Sequence, residues 1–303
     1  MDVDIWNFWQ PMVIASALYL TTNNMFIALL SAVVNMAIIF KVADWTQKDL
    51  DEVLGLEGIS FPQIQSSGWA FIGYPLNWLM DRIPGVKNIS WTPEKVQNRL
   101  GIFGEPMLMG LFVGGLLAAV AKMPLNIILQ TAVTIAASLV LMPKMVALLM
   151  DGLTLISESA QEWMQKRFPG RELYIGLDSA LGIGHPYVLT TGLLMIPFAL
   201  ILAFILPGNK VLPLADLTAL PYFMVFAILP SKGNLFRGLV SGIVFTTIIL
   251  YCSSYAAPII TQLAVQVGYQ LPEGTNEVTS LAVGSQWYTW IIYWIFEKVG
   301  TLF

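Results

Sequence analysis

The sequence predicts an all-α, polytopic membrane protein that contains re-entrant hairpins. Of its 303 residues, 56% are hydrophobic and only 11% are charged, whereas an ordinary soluble domain carries about 25% charged residues. The mean hydropathy is +0.71, and several uncharged stretches are long enough to cross a bilayer. Further apolar segments are interrupted by glycine or proline. These features exclude a soluble enzyme and a disordered or fibrous chain.

The long uncharged stretches predict the membrane spans. No charged residue lies between Asp4 and Lys41, which is too long for one span of about 20 residues. A polar break at residues 21–24 therefore divides this stretch into two helices. The same reasoning along the chain predicts spans at residues 6–20, 25–42, 106–121, 124–143, 186–206, 238–262 and 280–297.

Three apolar segments are broken and do not fit a simple span. Residues 57–80 and 173–185 contain glycines, and residues 207–230 contain four prolines. Irregular backbone at membrane depth is tolerated where it is buried in protein or lines a wet cavity. We therefore expect re-entrant hairpins at 57–80 and 173–185. Surface loops or interfacial helices are the alternative.

Residues 144–170 predict an amphipathic helix that lies along the cytoplasmic interface. Apolar side chains recur there at helical spacing, among them Met145, Leu148 and Leu149. Eight of the fifteen Lys and Arg residues lie in the stretches 82–99 and 144–171, which two predicted spans separate. The positive-inside rule places both stretches in the cytoplasm.

Asp178 is the leading candidate for a site residue. It lies between Gly176 and Gly182 in the second predicted hairpin, and an ionisable side chain at membrane depth is costly and by default functional. A carboxylate can accept hydrogen bonds from two neighbouring hydroxyls, which suits the binding of a neutral polyol. The alternative is a carboxylate that is stabilised by a helix N-terminus.

Five other polar residues are candidates for substrate binding. Gln63 and Gln65 lie at the tip of the first predicted hairpin, where amides can bind sugar hydroxyls or satisfy backbone groups. Gln10 is an amide among aromatic residues near the start of the first span. Glu105 and His185 each precede a proline at the start of a span. Helix capping is the alternative role for both.

The composition argues against several other classes of function. A net charge of −4 provides no basic field for nucleic acid. The single cysteine, Cys252, cannot form an internal disulfide or a Cys-based zinc site, and the single histidine excludes a two-His metal motif. Cys252 lies in an apolar helix and is a poor phosphoryl acceptor. We therefore expect no metal, no cofactor and no catalytic phosphoryl carrier in this chain.

A series of short motifs has the order and spacing seen in one family of transporters. The motifs are Asp4-Ile5-Trp6-Asn7, Glu57-Gly58-Ile59, Phe103-Gly104-Glu105-Pro106, Met150-Asp151-Gly152-Leu153-Thr154, Ile175-Gly176-Leu177-Asp178, Gly184-His185, Pro207-Gly208-Asn209, Leu212-Pro213-Leu214-Ala215-Asp216-Leu217 and Gly233-Asn234-Leu235-Phe236-Arg237. Over nearly its whole length the chain thereby resembles the galactitol-type enzyme IIC, the permease component of the bacterial sugar phosphotransferase system.

This resemblance implies a fold, a substrate and partners. The fold is the elevator type of the ascorbate and galactitol enzymes IIC, a homodimer in the lipid of the bacterial inner membrane. The implied substrate is a galactitol-like sugar alcohol, which a cytosolic IIB protein, itself supplied by IIA, phosphorylates. Asp178 matches the family's substrate-binding aspartate, and the tip around Gln63 matches the polar motif of the first hairpin. Gln10 lies near a binding position on the first helix.

Two features depart from the family pattern. The family usually has a histidine after the position of Pro62, where this chain has Gln63. Family members also carry further spans before Asp4 and usually one after residue 303, so we expect a fragment, a short form, or a chain that works with spans from another polypeptide. The alternatives are an ion-coupled secondary transporter that uses Asp178 or Glu105, and a non-transporting fragment or membrane enzyme that uses His185.

Overall fold

The computed structural model describes residues 7, 9–92, 105–169, 173–213, 216–271 and 273–300. Helices dominate this part of the chain, and the predicted all-α class is confirmed. The α-helices are α1 Gln10–Thr22, α2 Met25–Leu54, α3 Ile64–Ser67, α4 Ala70–Met80, α5 Pro106–Val120, α6 Leu125–Arg167, α7 Ala180–Ile183, α8 Pro186–Ile205, α9 Leu220–Ile228, α10 Leu235–Gln266, α11 Leu281–Gly284 and α12 Trp287–Gly300. Two short strands, β1 Ile59–Ser60 and β2 Ile175–Gly176, form the described sheet.

Three helices of the described residues are long and apolar enough to cross a membrane. They are α2, α8 and α10, and shorter apolar stretches within α5 and α6 cover Gly110–Val120 and Leu125–Ser138. The membrane class predicted from composition is in agreement with these helices.

Helix α6 joins two elements that the sequence predicts separately. The predicted span 124–143 and the predicted interfacial helix 144–170 form one continuous helix, Leu125–Arg167, and residue 170 lies outside the described residues. At about 1.5 Å per residue, a helix of this length measures about 65 Å, twice the thickness of a hydrocarbon core. Its second half therefore extends beyond a single crossing. Its position along the interface stays a prediction.

The two segments predicted as hairpins share one construction. In each, a two-residue strand leads into a four-residue helix, a glycine and then a longer helix. Each landmark of the second segment lies 116 residues after its counterpart in the first: Ile175 follows Ile59, Ala180 follows Ile64, Gly184 follows Gly68 and Pro186 follows Ala70. Whether either segment re-enters a bilayer stays a prediction.

A short parallel ladder joins the two segments 57–80 and 173–185, which are called the first and second hairpins below. Ile59 pairs with Ile175, and Ser60 pairs with Gly176. The backbone N–H of Ile175 donates to the Gly58 carbonyl at 3.0 Å, and that of Leu177 donates to the Ser60 carbonyl at 2.9 Å. Because the strands run in the same direction, the loops that follow them emerge on the same side. The two tips are thereby brought together.

Helix α9 is buried and packs against the short helices of both hairpins, α3 and α7. It comes from the proline-rich segment 207–230, and its residues from Leu220 to Ile228 are almost all buried. Glycine permits close approach here: a Cβ added at Gly192 of α8 would lie 3.0 Å from the Cα of Pro221. Such packing keeps the elements that carry the tips close to one core.

The structure breaks the last predicted span. Residues 280–297 are predicted as one helix, but α11 ends at Gly284 and α12 begins at Trp287. Ser285 and Gln286 lie between them and are buried. The segment is therefore a third broken helix.

Candidate functional site

The tips of the two hairpins meet through Asp178 and Gln63. Nε2 of Gln63 donates to Oδ1 of Asp178 at 3.0 Å, and the backbone N–H of Ala180 donates to the same oxygen at 2.8 Å. The second oxygen of Asp178, Oδ2, has no hydrogen bond among the described residues. Asp178 is half-buried, whereas Gln63 is only 2% exposed. The carboxylate therefore has one occupied oxygen and one that remains available as an acceptor.

Two serines orient the Gln63 amide. Ser179 donates to Oε1 of Gln63, and Oγ of Ser66 lies 2.9 Å from Oγ of Ser179. Ser66 and Ser179 are both fully buried. Since a hydroxyl donates one hydrogen bond, the contacts fit a chain from Ser66 to Ser179, to Gln63 and to Asp178. With Oε1 engaged by hydroxyls, the NH₂ group of Gln63 must face the carboxylate.

The beginning of α1 supports the first tip. Oε1 of Gln10 accepts a hydrogen bond from the backbone N–H of Gln65 at 3.2 Å, and the Asn7 side chain donates to the Pro62 carbonyl at 2.7 Å. Gln10 is fully buried and Gln65 is 8% exposed. One half of the Gln10 amide thus satisfies a backbone group of the first tip. Its Nε2 has no partner within the described ranges.

Glu105 and His185 do not take part in the hydrogen bonds described for this cluster. Each precedes the first residue of a helix, Glu105 at α5 and His185 at α8, but neither side chain makes a capping hydrogen bond. Glu105 is exposed. The His185 ring stacks on Tyr187 with centroids 5.2 Å apart. Among the described residues, no hydrogen bond joins either side chain to Asp178 or Gln63.

Sequence reasoning missed Ser179 and Gln286. Ser179 follows the candidate aspartate directly, and its offset of 116 residues from Gln63 becomes meaningful only when the repeat of the hairpins is known. Gln286 is an uncharged amide in an apolar stretch. The signal that could have marked it is an amide two residues after Gly284, where a helix break is favoured.

The arrangement suits hydrogen bonding to a neutral, hydroxyl-rich molecule. It offers a carboxylate oxygen as an acceptor, beside an amide whose orientation is fixed. Among the described residues, no group of three His, Cys, Asp or Glu side chains could hold a metal ion. The groups that are present can form hydrogen bonds to a ligand.

Comparisons with known proteins identify the family of this chain. The family described as "PTS system sugar-specific permease component" (EIIC-GAT) matches residues 1–274. A protein of Escherichia coli strain K12 named as a permease IIC component is 37% identical over 292 residues, covering 96% of this chain and 67% of the relative.

Two further relatives carry a more specific name. The "PTS system galactitol-specific EIIC component" of Escherichia coli strain K12 and that of strain O157:H7 are each 34% identical over 297 residues, covering 98% of this chain and 65% of the relative. The chain thus spans about two thirds of the length of these relatives. With the family match over residues 1–274, these identities show that the chain belongs to the sugar-specific permease components of the phosphotransferase system, in the galactitol-type EIIC family.

Proposed function

We propose that this chain binds a galactitol-like sugar alcohol and translocates it across the bacterial inner membrane, and that a cytosolic IIB protein phosphorylates the translocated substrate. Membership of the permease family supports transport of a sugar. The galactitol-specific name of two relatives supports a polyol as the substrate class.

The observation that carries the proposal is the hydrogen-bonded contact of Gln63 with Asp178. It places an acceptor and an oriented amide at the meeting point of two hairpin tips. A polyol presents adjacent hydroxyls, each able to donate and to accept. One hydroxyl donates to Oδ2 of Asp178, and its neighbour accepts from the Gln63 amide or donates to a serine of the network.

Translocation requires the site to move as a unit. The ladder between β1 and β2 joins both hairpins through backbone hydrogen bonds, so the two halves of the site travel together. The buried helix α9 contacts α3, α7 and α8 and belongs to the same body. Movement of this body against the rest of the permease exposes the site to each side of the membrane in turn.

The phosphoryl group must come from a partner. Cys252 is half-buried in α10, and an apolar helix offers a thiol no activating base. We propose IIB as the donor, IIA as the protein that recharges it, and a homodimer in membrane lipid as the working state.

The test is polyol uptake by membrane vesicles that contain the chain, measured with radiolabelled galactitol. Supplying phosphoenolpyruvate and the general phosphotransferase proteins together with IIA and IIB should produce internal galactitol phosphate. Uptake that needs an ion gradient and yields unmodified galactitol would refute phosphotransfer coupling. Absence of galactitol binding by the purified chain would refute the proposal that galactitol is the substrate.

A further inference from the structure

The break between α11 and α12 shares the short helix and the following longer helix of the two hairpins. A four-residue helix begins six residues before a longer helix in all three places: Ile64 before Ala70, Ala180 before Pro186, and Leu281 before Trp287. In the first two, this construction carries the polar groups of the candidate site. The third carries Gln286 immediately before α12.

Gln286 is an amide whose side chain is fully buried. It is 0% exposed, and neither its Oε1 nor its Nε2 has a hydrogen bond among the described residues. It occupies the N-cap position of α12, where Ser, Thr, Asp and Asn are the preferred residues. Since its Oε1 accepts from no backbone N–H, capping does not explain it.

The third break lies against the first hairpin. The ring of Tyr288 occupies the space that a side chain at Gly68 would need. The rings of Trp69 and Trp287 lie 6.2 Å apart between centroids. Gln286 is therefore on an element that contacts the segment carrying Gln63.

Two elements that contact this break also carry buried polar atoms without a hydrogen bond among the described residues. Oδ1 of Asn35 and Nε1 of Trp69 have no hydrogen bond within the described part of the chain, and both residues are 0% exposed. Nδ2 of Asn35 donates to Thr289, three residues after Gln286, at 2.9 Å. Asn35 therefore contacts the first turn of α12, which follows Gln286 directly.

A buried amide without partners costs free energy unless something else bonds to it. Donors and acceptors are both present in this group: the Gln286 amide has both, Asn35 adds an acceptor, and Trp69 adds a donor. A metal ion is bound by acceptors alone, and an anion is bound by donors alone. A polyol hydroxyl supplies both a donor and an acceptor at each carbon.

We propose that Gln286 hydrogen-bonds the hydroxyls of the polyol substrate, as a binding residue on a third broken helix in addition to Asp178 and Gln63. The inference rests on the proposed function, and it extends the site beyond residues 1–274, the range that the family matches.

The experiment compares Gln286→Leu with the matched variant Gln262→Leu, whose side chain is exposed on α10. Each full-length chain is purified in detergent. Galactitol affinity is measured by titration calorimetry, and the melting temperature is measured without ligand. Leucine has nearly the volume of glutamine and no polar atoms, so Gln286→Leu should melt at the wild-type temperature or above it. Its galactitol affinity should fall about tenfold, and Gln262→Leu should match the wild type in both.

Three results would overturn the inference, and they are distinguishable. Wild-type affinity in Gln286→Leu would mean that the amide does not contact the substrate. A clearly lower melting temperature without ligand would mean that the amide has a structural partner in the protein. A wild-type chain that binds no polyol would refute the proposed function itself, and with it this extension.

Discussion

Nε2 of Gln63 lies 3.0 Å from Oδ1 of Asp178, and this hydrogen bond connects hairpin tips that are 115 residues apart in the chain. Its donor is fixed because the other end of the amide accepts from Ser179. The contact therefore fixes which end of the Gln63 amide faces Asp178, and it leaves Oδ2 of Asp178 as the oxygen that can accept a further hydrogen bond. Four predictions follow from this contact and from the packing around it.

Asp178→Asn should remove most of the polyol affinity and leave the fold intact. The asparagine Oδ1 can still accept from Gln63 and from the Ala180 backbone, but the charged acceptor for a substrate hydroxyl is lost. We expect galactitol affinity to fall about 10- to 100-fold, the effect of losing a hydrogen bond to a charged group. Calorimetry checks this. Asp44→Asn, exposed on α2, is the control, and equal affinity in the two variants would contradict the assignment.

Gln63→Leu should weaken both the fold and the binding. It removes the link to Asp178 and leaves the buried hydroxyl of Ser179 without its amide acceptor. Leaving buried groups unsatisfied costs about 1–3 kcal/mol each, so the melting temperature should fall by several degrees. The comparison is Gln266→Leu, at an exposed position. An unchanged melting temperature in Gln63→Leu would show that the tips do not depend on this amide.

Arg237→Met should destabilise the protein more than Lys232→Met does. Nη1 of Arg237 donates to Asp81 at 2.6 Å and to Asn77 at 2.9 Å, and the arginine is 8% exposed. Losing hydrogen bonds between charged groups should cost about 2 kcal/mol. Detergent melting curves measure the difference.

Lys232→Met serves as the control because its ion pair with Glu52 is exposed on both sides. Nζ of Lys232 lies 2.8 Å from the Glu52 carboxylate, with side-chain exposures of 66% and 59%. Exposed pairs contribute little, so no measurable change in melting temperature is expected. An equal fall in melting temperature in the two variants would show that burial does not make the Arg237 ion pair more stabilising than the Lys232 ion pair.

Gly192→Ala should be destabilising, whereas Gly152→Ala should not. A Cβ at position 192 would lie 2.7 Å from Cγ of Pro221, and one at 152 would meet nothing within 4 Å. Overpacking costs about 1–3 kcal/mol, while alanine in an exposed helix is favoured over glycine by about 1 kcal/mol. Opposite signs of the change in melting temperature are therefore expected. A stabilised Gly192→Ala would contradict the close contact of α8 with α9.

Local chemistry made much of the architecture predictable. Apolar runs without charge mark α2, α8 and α10, and the glycines on both sides of Asp178 mark a broken segment. Asp178 itself stands out because a carboxylate in an apolar segment is rare. The galactitol-type family and the membrane class, both inferred from the sequence, are confirmed.

Long-range pairing could not be predicted. No local signal announces that Ile59 will pair with Ile175, and that pairing brings Gln63 to Asp178. The break before Trp287 was missed because glutamine and serine interrupt an apolar run only weakly. The boundary expected at residues 143–144 does not exist, because α6 runs through Pro143 although a proline inside a helix removes a hydrogen-bond donor and favours a break.

The joint between the hairpins is the β1–β2 ladder, and it consists of hydrogen bonds between backbone groups. The amides of Ile175 and Leu177 and the carbonyls of Gly58 and Ser60 are present whatever side chains occupy those positions. Alanine scanning would pass over this joint without detecting it, and proline at 175 or 177, which lacks the N–H, is the substitution that would cut it. Mutations that change the polar residues at the tips can therefore accumulate while the joint stays in place. Substrate preference can therefore diverge among such permeases without a matching change in the backbone joint between the two tips.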